Sequence, residues 1–213
     1  MHFACQSEDV DEWQQLRERL TAAGVGGTKD LGRFVSNPGV LGASQFDERS
    51  AMPHLIEALP TLNDSRLVGA VAGHLRGSWA RPAAFDALLS AFERWAPSDA
   101  LTGWHLGDAL GTTATKAQAD TLIRCAQDRT YGEARQMVVH ALSRFKTVPG
   151  AEHALVELIE DPDVALHAMH ALRRVVGPER ALPHLERVER EHAGTPTGET
   201  AAREVKKVRK TLA

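Results

Sequence analysis

Residues 134–145, ARQMVVHALSRF, and residues 164–175, VALHAMHALRRV, decide how this chain is read. Counted from zero at Ala134 and at Val164, apolar side chains fall at positions zero, four, seven, eight and eleven in both. In the first copy these are Ala134, Val138, Ala141, Leu142 and Phe145; in the second they are Val164, Ala168, Ala171, Leu172 and Val175. That spacing marks one face of a 3.6-residue helix. Repetition of one buried face after about thirty residues is the signature of a stacked array, in which each unit covers its neighbour's apolar side.

Working outward, position seven recurs as His74, Ala109, Ala141, Ala171 and Val208, at intervals of 35, 32, 30 and 37 residues. Each such helix follows a shorter amphipathic stretch and a turn rich in Asp, Asn, Ser or Gly, which predicts five helix pairs. Their boundaries fall at about 50–80, 81–114, 115–149, 150–178 and 179–213. The first helices echo one another too: Ala51-Met52-Pro53-His54-Leu55 returns as Ala181-Leu182-Pro183-His184-Leu185, with proline expected in the first helical turn. Residues 1–49 stand apart. Ser7 followed by Glu8, Asp9, Asp11 and Glu12 predicts a capped helix with Trp13, Leu16, Leu20 and Ala23 on one side. A Gly-rich break, a short apolar piece at Leu31–Val35 and a loop from Pro38 to Phe46 follow. This segment is read as an N-terminal helical cap and loop ahead of the 50–213 array.

The unit Asp161-Pro162-Asp163-Val164, with Ala168, Ala171-Leu172 and Val175, resembles the HEAT repeat in its short two-helix bacterial form. Arg135 occupies that pattern's Arg position in the third unit, and Ala165 replaces it in the fourth. The likeness spans roughly residues 50–213; His74, Thr102 and Arg209 depart from it at places that are usually apolar. It implies an all-α, right-handed α-α superhelix, a HEAT-like solenoid of the armadillo-like helical class, that scaffolds protein contacts. It implies no enzymatic activity.

Composition agrees with an ordinary soluble protein: 43% hydrophobic and 25% charged residues, with a formal net charge of −3. That balance argues against a nucleic-acid partner, which needs a basic field. No apolar stretch approaches a membrane span, and MHFACQSEDVDEW lacks the basic start and apolar run of a secretory signal. Cys5 and Cys125 lie far apart without a CxxC, so a reducing, cytoplasmic setting is expected.

With zero, four, seven, eight and eleven inward, positions two, six and nine lie opposite and line the concave face in arrays of this kind. Position two reads Gly69, Trp104, Gln136, Leu166 and Arg203. Position six reads Gly73, Asp108, His140, His170 and Lys207, and position nine reads Arg76, Gly111, Ser143, Arg173 and Lys210. A bare glycine end, an aromatic and polar middle and a basic far end are thus predicted. Trp104, Asp108, Gln136, His140, His170 and Arg173 are the candidate binding surface for a protein partner, since a large aromatic on such a row anchors partners.

No metal or cofactor is expected. His140, His167 and His170 come close in the register, but no cysteine or HExxH accompanies them. Lys206, Lys207, Arg209 and Lys210 read as a solvated terminal helix diluted by Glu199 and Glu204. Glu157, Glu160, Asp161 and Asp163 lack the ligand alternation of a calcium loop, and GVGG at Gly24–Gly27 follows a helix, not a strand. The alternative function is that of an alkylpurine DNA glycosylase of the HEAT-like kind. There a concave Trp and Asp, here Trp104 and Asp108, support loss of a cationic base, with Arg135 on the next unit.

Overall fold

A computed structural model describes residues 11–32 and 44–213. Ser7, Glu8, Asp9, Cys5 and residues 33–43, including most of the short apolar piece and the loop from Pro38, lie outside the described residues. The described residues are all-α: helices stacked in chain order, a solenoid-like fold.

From Glu48 onward the helices follow one another two by two. Their first helices are α2 (Glu48–Ala58), α4 (Phe85–Trp95), α6 (Ala119–Gln127), α8 (Pro149–Leu158) and α10 (Pro178–Glu191). Their second helices are α3 (Ser65–His74), α5 (Ala100–Thr113), α7 (Gln136–Ala141), α9 (Ala165–Val176) and α11 (Pro196–Leu212). Second helices pack on one another in succession, α3 on α5, α5 on α7, α7 on α9 and α9 on α11. Turn residues hold their starts. Asp64 accepts from the backbone N–H of Arg66 and Leu67, Asp99 from Thr102, and Thr195 from Gly198.

The inward register holds at positions zero, four and seven, whereas position eleven is buried only at Thr113 and Phe145, half-buried at Val175 and exposed at Ser78 and Leu212. Positions zero, four, seven and eight are buried in the first four units, as are zero, four and seven in the fifth. The three departures behave differently. His74 is buried but satisfied: its Nδ1 lies 3.0 Å from Glu48, and its Nε2 accepts the Gly32 N–H at 3.0 Å. Thr102 is buried and donates its hydroxyl to Asp99 at 2.8 Å. Arg209 is exposed and reaches Glu186 at 2.7 Å.

Three expectations need correction. The N-terminal helix α1 (Glu12–Ala22) starts at Glu12 with Asp11 as its cap, and Ala23 ends it in an exposed position. Pro53 and Pro183 are each the sixth residue of their helices, not first-turn residues. The carbonyls they leave without a helical N–H belong to Arg49 and Glu179, both exposed residues. The third unit's second helix is not one α-helix from 134 to 145. A 3₁₀ segment (Arg129–Arg135) with a non-helical Gly132 (φ 48°) leads into α7, and a second 3₁₀ turn (Leu142–Arg144) follows. The Gly132 carbonyl, which an α-helix would give to the Gln136 N–H, accepts from Arg135 Nε instead, and Gln136 turns to Glu133.

α1 is tied to the first unit. Glu12 accepts from the backbone N–H groups of Asn63 and Asp64, each at 2.9 Å, and Trp13 Nε1 donates to Asp64 at 3.1 Å. Burial alone would raise the carboxyl of Glu12; those backbone bonds outweigh it and hold the group below its ordinary range.

Candidate functional site

The middle of the second-helix face is shaped by glycines. On α5, Gly103, Gly107 and Gly111 repeat every four residues and face the third unit. A Cβ at Gly103 would sit 2.6 Å from the Ala134 Cβ, and one at Gly111 only 2.4 Å from the Ala141 Cβ. Only missing side chains let the two backbones approach this closely. Trp104 and Asp108, each next to a glycine, are thereby set along the rim of a groove between α5 and α7.

Position nine is corrected by this packing. Gly111 and Ser143 are buried in the helix contact instead of lying on an open face, and Gly69 is covered by the His105 ring. Positions two and six stay accessible in the middle units. Trp104, Asp108, Gln136, His140 and His170 are all partly exposed, as is Arg173 at position nine of the fourth unit.

Their partners divide the six residues into two groups. Trp104 meets His105 edge-on at 5.3 Å and lines a hollow of about 420 Å³ with Ala100, Leu101, Glu133 and Gln136. Leu101 is 69% exposed beside it. Gln136 donates to the Asp163 carbonyl at 3.0 Å. Asp108 is paired with Arg76 of the first unit at 2.8 Å. His140 and Asp108 line a second hollow of about 210 Å³, with Thr112, Ser143, Arg144 and Arg174. His170 and Arg173 belong elsewhere: both reach the buried carboxylate of Glu204, at 3.2 and 3.0 Å, which Lys207 also contacts at 2.6 Å. Burial raises the Glu204 carboxyl, but bonds from Lys207 and His170 and their charges overcome it and keep it below its usual value. Much of the basic far end therefore neutralises a buried acid.

His140 and His167 meet edge-on with centroids 6.5 Å apart, and no metal-holding group of three or more His, Cys, Asp or Glu side chains occurs among the described residues. Burial, then the charges of Arg174 and His170, pushes His140 below the ordinary imidazole range; burial and the two neighbouring histidines do the same to His167. Both rings are thus neutral at neutral pH. Cys125 is a free, buried thiol, pushed up to about 11 chiefly by burial, which leaves it protonated and unreactive.

Of the residues in the glycosylase alternative, Trp104 and Asp108 share the groove, but Arg135 does not reach it. Its side chain is fully buried, donating to the carbonyls of Gly132 and Ala126 and lying 3.0 Å from Asp161. The register gives the same direction, towards the helix interface.

Leu101, Arg144 and Arg174 were missed in the sequence reading, although a signal existed. Leu101 stands one place before position zero of its unit, and Arg144 and Arg174 both occupy position ten of theirs. At 100° per residue, position ten lies about 40° from position six and shares its face.

No protein-family model matches this chain, and neither a curated protein nor a solved structure does.

Proposed function

We propose that this protein is a non-catalytic HEAT-like scaffold that binds a protein partner through its second-helix face, the concave side of such an array. The observation that carries this reading is the α5–α7 groove, where Trp104 and the exposed Leu101 border an open apolar hollow. A tryptophan beside an apolar hollow edged by Glu133 and Gln136 has the character of an interface anchor. The Leu166 side chain, 44% exposed on α9, extends the apolar handholds to the next unit. Among the described residues, no helix is long and apolar enough to cross a membrane. A cytoplasmic location fits the free thiol of Cys125.

The test is affinity capture from native extract, comparing the unaltered chain with a Trp104→Ala/His140→Ala double variant whose helical content and melting are unchanged. The double variant is expected to lose the partner. Retention of the same partner at the same yield would place binding elsewhere.

A further inference from the structure

The two hollows on the α5–α7 groove differ in chemistry, and their difference specifies an occupant. The Trp104 hollow is mainly apolar, with Glu133 its one acidic lining group. The His140 hollow has two guanidiniums on its wall, Arg144 and Arg174. Arg144 is anchored by donating to the carbonyls of Gly111, Thr112 and Ala114 at the end of α5, where the helix dipole favours a cation. Arg81 donates to the Thr112 carbonyl from the other side, close enough that its charge works against that of Arg144. Arg174 is exposed. None of these three guanidiniums has a carboxylate within ion-pair distance among the described residues; Asp108, the one acid on the wall, is taken by Arg76.

The charge of the paired helices is unevenly divided as well. The five first helices carry eleven acidic and six basic residues, a net of −5. The five second helices carry three acidic and eight basic, a net of +5. Most of that positive charge stands on α9 and α11, at +2 and +3, while α5 and α7 carry a net of −1; the cations of the groove itself are Arg144, just past the end of α7, and Arg174 on α9.

We infer that the groove takes a protein segment that seats an apolar side chain in the Trp104 hollow and an acidic side chain between Arg144 and Arg174. This rests on the scaffold reading and names the partner's chemistry. The hollows are centred about eight residues apart along α5, about 12 Å at 1.5 Å per residue. An extended segment covers that distance in about three to four residues at 3.3 Å each, which sets the spacing between the two side chains. Glu133 repels a carboxylate at the apolar end and so fixes the direction of the segment. An apolar anchor beside a charge-matched site favours a peptide over a nucleic acid, which would use the positive field without filling the Trp104 hollow.

The probe is a displayed library of random 12-residue peptides selected against the full chain. Enriched peptides are expected to carry Leu, Phe or Trp three or four residues from Asp or Glu. Their binding is expected to fall at least tenfold in Arg174→Glu and in Trp104→Ala, and less than twofold in Arg203→Glu and Lys210→Glu at the far end of the same face. The Arg174 side chain makes no hydrogen bond or ion pair among the described residues, so its reversal leaves folding intact where Arg144→Glu disturbs the end of α5. Enriched peptides without acidic residues, or indifferent to Arg174→Glu, overturn the inference and leave the scaffold reading standing. No enrichment overturns it as well; joined to unchanged capture by the Trp104→Ala/His140→Ala variant, it removes both. Tighter binding of a 20-nucleotide strand or duplex than of any peptide, lost in Arg174→Glu, assigns the face to nucleic acid instead.

Discussion

Arg135 carries a positive charge into the interior of the stack. Its guanidinium is fully buried beside Asp161, itself 4% exposed, and near Asp163 at 3.5 Å. Arg129 approaches Asp161 from outside at 3.5 Å. A charge so enclosed is tolerated because every nearby acceptor is aimed at it, and removing one partner exposes the full desolvation cost of the other. Asp161→Leu is therefore expected to lower unfolding free energy by about 3–5 kcal/mol in urea titration. The double variant Arg135→Met/Asp161→Leu should recover most of that loss, since no unpaired charge remains. An Asp161→Leu protein as stable as the parent would contradict the buried pair. The residue types were legible in the chain: Asp in the turn and Arg one place into the register. What could not be read was that these two meet across 26 positions, because periodicity gives a side chain's direction but not what stands there. Glu204 is the same case, since its buried carboxylate lies 31 residues from Arg173.

At the scale of the element, the second helices were legible because their pattern is set by burial alone. Leu172 illustrates this: it is fully buried at position eight of α9. Leu172→Ala should cost about 2–5 kcal/mol, measured by the shift of the urea midpoint at constant slope. An unchanged midpoint would mean that α9 is rotated away from this register. Less legible was how closely neighbouring helices approach. The glycines at 103, 107 and 111 bring α5 against α7, bury position nine and open a groove beside Trp104 and Asp108. Their four-residue spacing was visible in the sequence, but spacing alone does not say which helix fills the space. The turn at Tyr131-Gly132 was legible, but the 3₁₀ segments on either side of α7 were not, since periodicity does not report that Arg135 takes the Gly132 carbonyl.

For the molecule as a whole, the repeat gives order and surface, while net charge proved a poor guide to the surface. A total of −3 conceals a negative layer of first helices and a positive layer of second helices. Stacking sorts the two, and a field depends on where charges stand more than on their sum. The candidate site was half legible for the same reason. Trp104, Gln136 and His140 line the two hollows of the groove, Asp108 stands there already paired, and His170 and Arg173 serve the Glu204 cluster instead. The central claim is that the second-helix face is the one a partner covers. Side-chain oxidation footprinting, with and without the captured partner, tests it most directly. The account predicts that Leu101, Trp104, Met137, His140 and Leu166 lose reactivity on binding, while His153, His184 and Leu89 on the first helices keep theirs. Protection confined to the first helices, with Trp104 and Leu101 as reactive as before, would contradict it.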